Sequence, residues 1–261
     1  MSDVNPYRAQ WDNYAIKWNR GIVPGRPLSE NSWPGDEWGN EERWSKIFQT
    51  MFLDFGAKHW QNCVEIGPGS GKYTSLLLQN SDSYIVAFDI SPGYMEVMKK
   101  RLSQDIEAHR VSPALIKAEK SAELLEYLER NKLVRKLDGF FSIDAMVHVD
   151  LQYLVVYFIT AALTLKKNGL LIMTLANAVS QVGFKHLING AKHFYSLQGE
   201  ATAKFEYLSR DIVDLVLGQM GFQVNYMKPF GTGIDVDRDL YVVARLVDME
   251  RADTFRDSIS N

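Results

Sequence analysis

The sequence predicts an α/β protein built on a mostly parallel sheet with helices on both faces. Three observations predict it. Short apolar runs alternate with helix-period stretches five times up to residue 175. The first run, Cys63 to Ile66, leads into Gly67, Gly69 and Gly71, with a helix expected from Lys72. The second, Tyr84 to Phe88, ends in a carboxylate, Asp89. Parallel sheets of this kind take ligands beyond the carboxyl ends of their strands. The glycine loop, Asp89, Glu119 and the stretch Asp144 to His148 all fall at such ends.

Composition sets the outer bounds. The 261 residues are 46% hydrophobic and 23% charged, enough for one large domain and an extension. The net charge of −3 supplies no general field to attract nucleic acid. The basic runs Lys99-Lys100-Arg101 and Lys132 to Lys136 read as solvated helix faces. Cys63 is the only cysteine, which excludes an internal disulfide and a cysteine-based metal cluster. No segment approaches the roughly 18 apolar residues of a membrane helix, and the N-terminus lacks the pattern of a signal peptide. The expectation is a soluble cytoplasmic protein with no membrane or nucleic-acid partner. Nothing in the sequence indicates an oligomeric state.

Taken in order, residues 1–40 differ from the rest. All six tryptophans lie within the first 60 residues, and prolines and glycines break the first 40 into turns. So many large aromatics must pack on the body or line a site. Residues 1–40 are therefore expected to form a cap, either over a ligand or sealing the core, with Trp11, Tyr14 and Trp18 on one side of a short helix. Asn40, Glu41 and Glu42 start a helix whose Trp44, Ile47, Phe48, Met51, Phe52 and Phe55 face the core. Ser91-Pro92 starts another, with Met95, Met98, Leu102 and Ile106 inward. Ala114 to Ala118 is a weak third strand, and Leu137 to Ile143 a fourth. A helix is expected from Leu151 to Lys167, closed by Asn168-Gly169, before a fifth strand at Leu170 to Leu175. Residues 176–207, rich in aromatics and holding His186 and His193, form an insertion on the substrate side. Ser209 caps a helix through Met220. Phe222 to Met227 and Asp239 to Leu246 are closing strands, and 248–261 a loose polar tail.

Three glycine-loop chemistries compete for residues 65–72. The phosphate loop G-x-x-x-x-G-K-[ST] fails, because Tyr73 follows Gly71-Lys72 and Ile66 stands where its leading glycine belongs. The dinucleotide pattern G-x-G-x-x-G fits Gly67 and Gly69 but meets Lys72 at its third place. Glu65-Ile66-Gly67-Pro68-Gly69-Ser70-Gly71 fits G-x-G-x-G with an acid two places before the first glycine. Here the sequence resembles the class I S-adenosylmethionine (SAM) dependent methyltransferases, over about residues 41–247.

That resemblance implies a Rossmann-like, seven-stranded, mostly parallel sheet with an antiparallel last strand. It implies SAM as cofactor and S-adenosylhomocysteine (SAH) as product. Glu65, Gly67, Pro68, Gly69 and Gly71 would approach the cofactor, and Asp89 and Ile90 would lie at its ribose. Glu119 and Lys120 would lie beside the adenine, with Ser142 and Trp38 nearby. The signature of exocyclic base amine methylation is absent, since Asp144-Ala145-Met146-Val147 follows Ile143. A small-molecule acceptor, methylated on O or N and metabolite-like or sugar-like, is the expectation. His148, just past the fourth strand, is the candidate base, with Asp144 beside it. A histidine base suits a hydroxyl acceptor near neutral pH, and a histidine that only packs is the other reading. No metal is expected, because the histidines lack metal-ligand spacing. A non-catalytic protein of the same fold and a nicotinamide oxidoreductase remain the alternatives.

Overall fold

The computed structural model describes residues 11–16, 41–117, 123–195, 205–230 and 237–258. The chain divides into two compact units, Met1–Lys120 and Ser121–Asn261.

In the first unit, the helix Glu41–Met51 buries Trp44, Ile47, Phe48 and Met51, the expected apolar stripe. Phe52 continues it, stacking on Phe48 at 5.1 Å and on Tyr73 at 6.0 Å between ring centroids. Strands β1 (Asn62–Ile66), β2 (Tyr84–Asp89) and β3 (Val111–Leu115) run parallel in the order β3-β2-β1. Helices Lys72–Asn80 and Pro92–Arg101 connect them, as βαβ units require. β3 begins three residues before the expected Ala114. Its pairing puts Val111 opposite Ile85 and Pro113 opposite Ala87. Pro113 lacks an N–H, which a strand paired on one side within this unit tolerates.

The second unit carries β4 (Leu137–Ser142), β5 (Leu165–Asn177), β6 (Tyr207–Leu208), β7 (Phe222–Tyr226) and β8 (Asp239–Leu246). The order is β4-β5-β8-β7, with the two-residue β6 beside the end of β5. β4 and β5 are parallel, and β8 is antiparallel to both its neighbours. The antiparallel last strand is thus as expected. The helix expected to Lys167 instead stops at Thr164. Leu165 already pairs with Leu137, a register shift follows, and Asn168 takes φ +65°. Asn-Gly suits a left-handed position in a bulge as well as at a helix end.

One further element adds to the expected insertion, and one differs from expectation. The insertion contains an ordered helix, Gln181–Tyr195. The segment read as a loose tail forms the helix Met249–Asp253, with Asp248 accepting from Arg251 N and Ala252 fully buried. The start of that segment is anchored on Gly221, with φ +88°. Its carbonyl accepts from Val247 N (2.9 Å) and Asp248 N (3.1 Å). A Cβ at Gly221 would lie 2.1 Å from the Asp248 carbonyl oxygen. Gly221→Ala is therefore expected to lower unfolding free energy by about 2–4 kcal/mol, combining left-handed strain with overpacking. Urea denaturation checks this, and a loss under ~0.5 kcal/mol would contradict the close approach.

Candidate functional site

In the first unit, the loop after β1 and the turn after β2 meet at one carboxylate. Gly67, Gly69 and Gly71 all have positive φ, at 67°, 56° and 90°, which only glycine adopts freely. Gly67 N donates to Phe88 O (2.8 Å) and Gly71 N to Pro68 O (2.9 Å), closing the turn. Gly69 N donates to Asp89 Oδ2 at 3.0 Å. Ser91 N donates to Asp89 Oδ1 at 2.8 Å. Among the described residues, a Cβ built on Gly69 would meet nothing within 4 Å. A half-buried glycine backbone beside a fixed carboxylate suits the sugar and polar tail of an adenosyl cofactor.

Glu65 lies beneath this loop and is fully buried. Its Oε2 accepts from Thr74 Oγ1 at 2.5 Å, on the helix that follows the loop. Burial pushes the Glu65 carboxyl up to about 8, the Thr74 hydrogen bond lowers it, and the Asp89 charge raises it. Asp89 is raised to about 6, by burial first, against hydrogen bonds from Ser91, Gly69 and Ile90. At pH 7 Glu65 is neutral and Asp89 ionised. The Glu65 hydrogen bond to Thr74 ties β1 to the helix after the loop. Trp38, Glu119 and Lys120 lie outside the described residues.

In the second unit a separate cluster forms at the ends of β4, β5 and β8. Ser142 is buried at the end of β4. Asp144 follows with φ +60°, its N–H donating to Thr174 Oγ1 at 2.7 Å. Its Oδ1 accepts from Arg238 Nη2 at 2.7 Å. Arg238 also donates from Nε to Asp239 Oδ1 (2.8 Å) and from Nη2 to Asp239 Oδ2 (2.7 Å). The two carboxylates raise the Arg238 pKa against the effect of burial.

The Arg238 guanidinium lies 5.2 Å from the Phe205 ring centroid. His148 meets that ring edge-on at 4.6 Å, and His186 lies 4.5 Å from it. His186 Nδ1 is hydrogen-bonded to Tyr207 OH at 2.6 Å. His148 is 8% exposed, whereas His186 is only half-buried. Burial, then the Arg238 charge, lowers the His186 pKa. Glu206 N donates to Val147 O (2.9 Å), strapping the Phe205 segment to the turn that holds His148. Sequence reading singled out His148, Asp144 and His186 but missed Arg238, whose partner Asp144 is 94 residues away. The side chain of His193 lies outside the described residues. Among the described residues no group of three or more His, Cys, Asp or Glu side chains is placed to hold a metal ion, and no helix is long and apolar enough to cross a membrane.

No protein-family model matches the chain, and no curated protein matches its sequence. Solved structures do match its fold. The magnesium protoporphyrin IX methyltransferase of Synechocystis PCC 6803, crystallised with SAH, matches with a TM-score of 0.59 at 16% identity, over 92% of this chain and 97% of that one. The phosphoethanolamine N-methyltransferase 2 of Haemonchus contortus, crystallised with SAM, matches with a TM-score of 0.59 at 16% identity. That alignment spans 94% of this chain but only 60% of the longer nematode enzyme. The CurJ carbon methyltransferase matches with a TM-score of 0.56 at 13% identity, over 94% of this chain and 62% of that one. The fold is that of the class I methyltransferases, and those neighbours differ in the atom they methylate.

The raised Glu65 pKa has a stability consequence. The folded state holds this proton up to about pH 8, whereas the ordinary value is 4.5. Folded protein thus binds more protons than unfolded between those values, and stability falls as pH rises through them. Asp89 acts with the same sign, but only between 3.8 and about 6. From pH 6 to 8 Glu65 should cost about 2–3 kcal/mol of unfolding free energy. Glu65→Gln should remove that slope while keeping an acceptor for Thr74. Urea unfolding at pH 6 and pH 8 measures it, and equal slopes in both proteins would refute the buried neutral carboxyl.

Proposed function

We propose that this chain, which has the class I methyltransferase fold, is a SAM-dependent methyltransferase acting on an O or N atom of a small metabolite or sugar-like acceptor. The observation that carries this reading is the joint hydrogen bonding of Asp89 by Gly69 N and Ser91 N at the glycine loop. It supports a cofactor with a ribose: an ionised carboxylate with spare lone pairs accepts from two adjacent hydroxyls. Gly67, Pro68, Gly69 and Gly71 line the cofactor backbone in this reading, with Ile90 near the ribose. Glu65 acts from below, through Thr74.

The cofactor, when bound, supplies an electrophilic methyl group on a sulfonium. The chain's own task is then alignment and exclusion of water, plus removal of a proton where the acceptor is a hydroxyl. His148 is the group assigned that proton. Asp144, paired with Arg238, holds the turn before it.

Calorimetric titration with SAM and SAH tests the cofactor assignment. Saturable binding is expected, with Asp89→Ala weakening it about 10- to 100-fold, the usual cost of losing charged hydrogen bonds. Absence of heat at millimolar ligand would overturn the assignment. His148→Ala should keep SAH affinity and lower turnover on a hydroxyl acceptor by about 10²- to 10⁴-fold. Unchanged turnover would leave His148 a packing residue.

A further inference from the structure

A continuous chain of hydrogen bonds leaves the Asp89 site and ends on the N-terminal segment. Residues 11–16 are helical and pack on the first turn of the helix Pro92–Arg101. Ser91 Oγ donates to Asp12 Oδ1 at 2.6 Å, and Gly93 N reaches the same oxygen at 3.4 Å. Ser91 Oγ in turn accepts from Tyr94 N at 3.2 Å, so one hydroxyl joins Asp12 to the helix start. Ser91 N holds Asp89 Oδ1, and Asp89 Oδ2 holds Gly69 N. The order Asp12, Ser91, Asp89, Gly69 is therefore unbroken.

Packing reinforces the dock. Ala15 is fully buried, and the Tyr14 and Tyr94 rings lie 6.4 Å apart. A Cβ at Gly93 would sit 3.3 Å from Ala15 Cβ and 3.7 Å from Asp12 Oδ1. Gly93 is thus a glycine because another helix rests on it.

We infer that Asp12 is a positioning residue for the cofactor site: it docks segment 11–16 onto the Ser91-Gly93 turn and thereby fixes the carboxylate of Asp89. The inference rests on the SAM reading above. The physical reason is preorganisation. Asp89 sits two residues before the turn, so loosening Ser91 frees one of its two fixed oxygens, and the ordering must then be supplied on binding. Asp12 also carries a negative charge that acts on Asp89. Docking and charge separate cleanly, because Asp12→Asn removes the charge and keeps the acceptor oxygen.

The test uses the full chain and SAH. Calorimetry should show a Kd about tenfold higher for Asp12→Ala, and within about threefold of wild type for Asp12→Asn. Gly93→Val, whose Cβ would crowd Ala15 Cβ at 3.3 Å and touch Asp12 Oδ1 and Ser91 Oγ at 3.7 Å, pushes the 11–16 segment off the turn and should raise the Kd by a similar factor, about tenfold. Thermal melts establish that each variant is folded. Hydrogen exchange supplies a second readout: the amides of residues 11–16 should be protected in wild type, more so with SAH, and lose that protection in Asp12→Ala and Gly93→Val. Wild-type affinity in folded variants whose 11–16 segment has become unprotected would overturn the positioning role and leave the SAM reading intact. Failure of the wild-type protein to bind SAH would overturn that reading, and the inference with it.

Discussion

Everything in the first unit that bears on a ligand depends on where one carboxylate points. Asp89 closes β2, and its side chain draws in an amide from each side: Gly69 from the loop after β1 and Ser91 from the turn after β2. Its own carbonyl accepts from Ile116 N just past β3, at 3.0 Å. Three successive strand ends are thereby referred to one residue. The glycines matter because of this. Positive φ at Gly69 aims its N–H at the acid, and a side chain forced into that conformation would cost on the order of 1–2 kcal/mol. The loop is shaped by its need to satisfy Asp89 as much as by any ligand.

Such a carboxylate is expensive to bury, and a second one, Glu65, lies beneath the same loop. The two are not equivalent. Asp89 has three backbone donors and stays ionised near neutrality, whereas Glu65 has one hydroxyl partner and is neutral there. Like charges disfavour joint ionisation, and the group with more hydrogen-bond donors keeps its charge. The loop therefore carries a single negative charge, at the end of β2. That is the arrangement a ribose, with donors and no charge of its own, can use.

Much of this was legible in the sequence because the constraints are local. Three alternate glycines after an apolar run demand a sharp turn, and an acid ending the next apolar run lands beside it in any parallel pair. Ser91-Pro92 gave the helix start directly, and the Ser91 hydroxyl does take the Tyr94 amide. The signal weakened where sterics have two solutions. Asn168-Gly169 suits a helix end and a strand bulge equally, and only the pairing of Leu165 with Leu137 decides. β3 was misplaced because its centre is Ser112-Pro113, which carries little apolar signal. The tail was read as loose from its polarity, yet its order comes from Gly221 and from Asp253 bonding Arg135, 118 residues away.

Contacts between distant residues were invisible in principle, and these define the second unit's cluster. His148 stood out by its place after a strand, His186 by sitting in an aromatic insertion; neither position reveals that both rings contact Phe205. Arg238 had no distinguishing pattern, yet it binds Asp144 and Asp239 and covers the same phenyl ring. Burial first, and then the Arg238 charge, lowers the pKa of His186. That histidine is hydrogen-bonded to Tyr207 and half-buried, while His148 is buried. One phenyl ring thus contacts two histidines, one buried and one half-buried. A proton acceptor in this cluster works only where a substrate hydroxyl can reach it, so the position of the Phe205–Tyr207 strap decides which histidine that is.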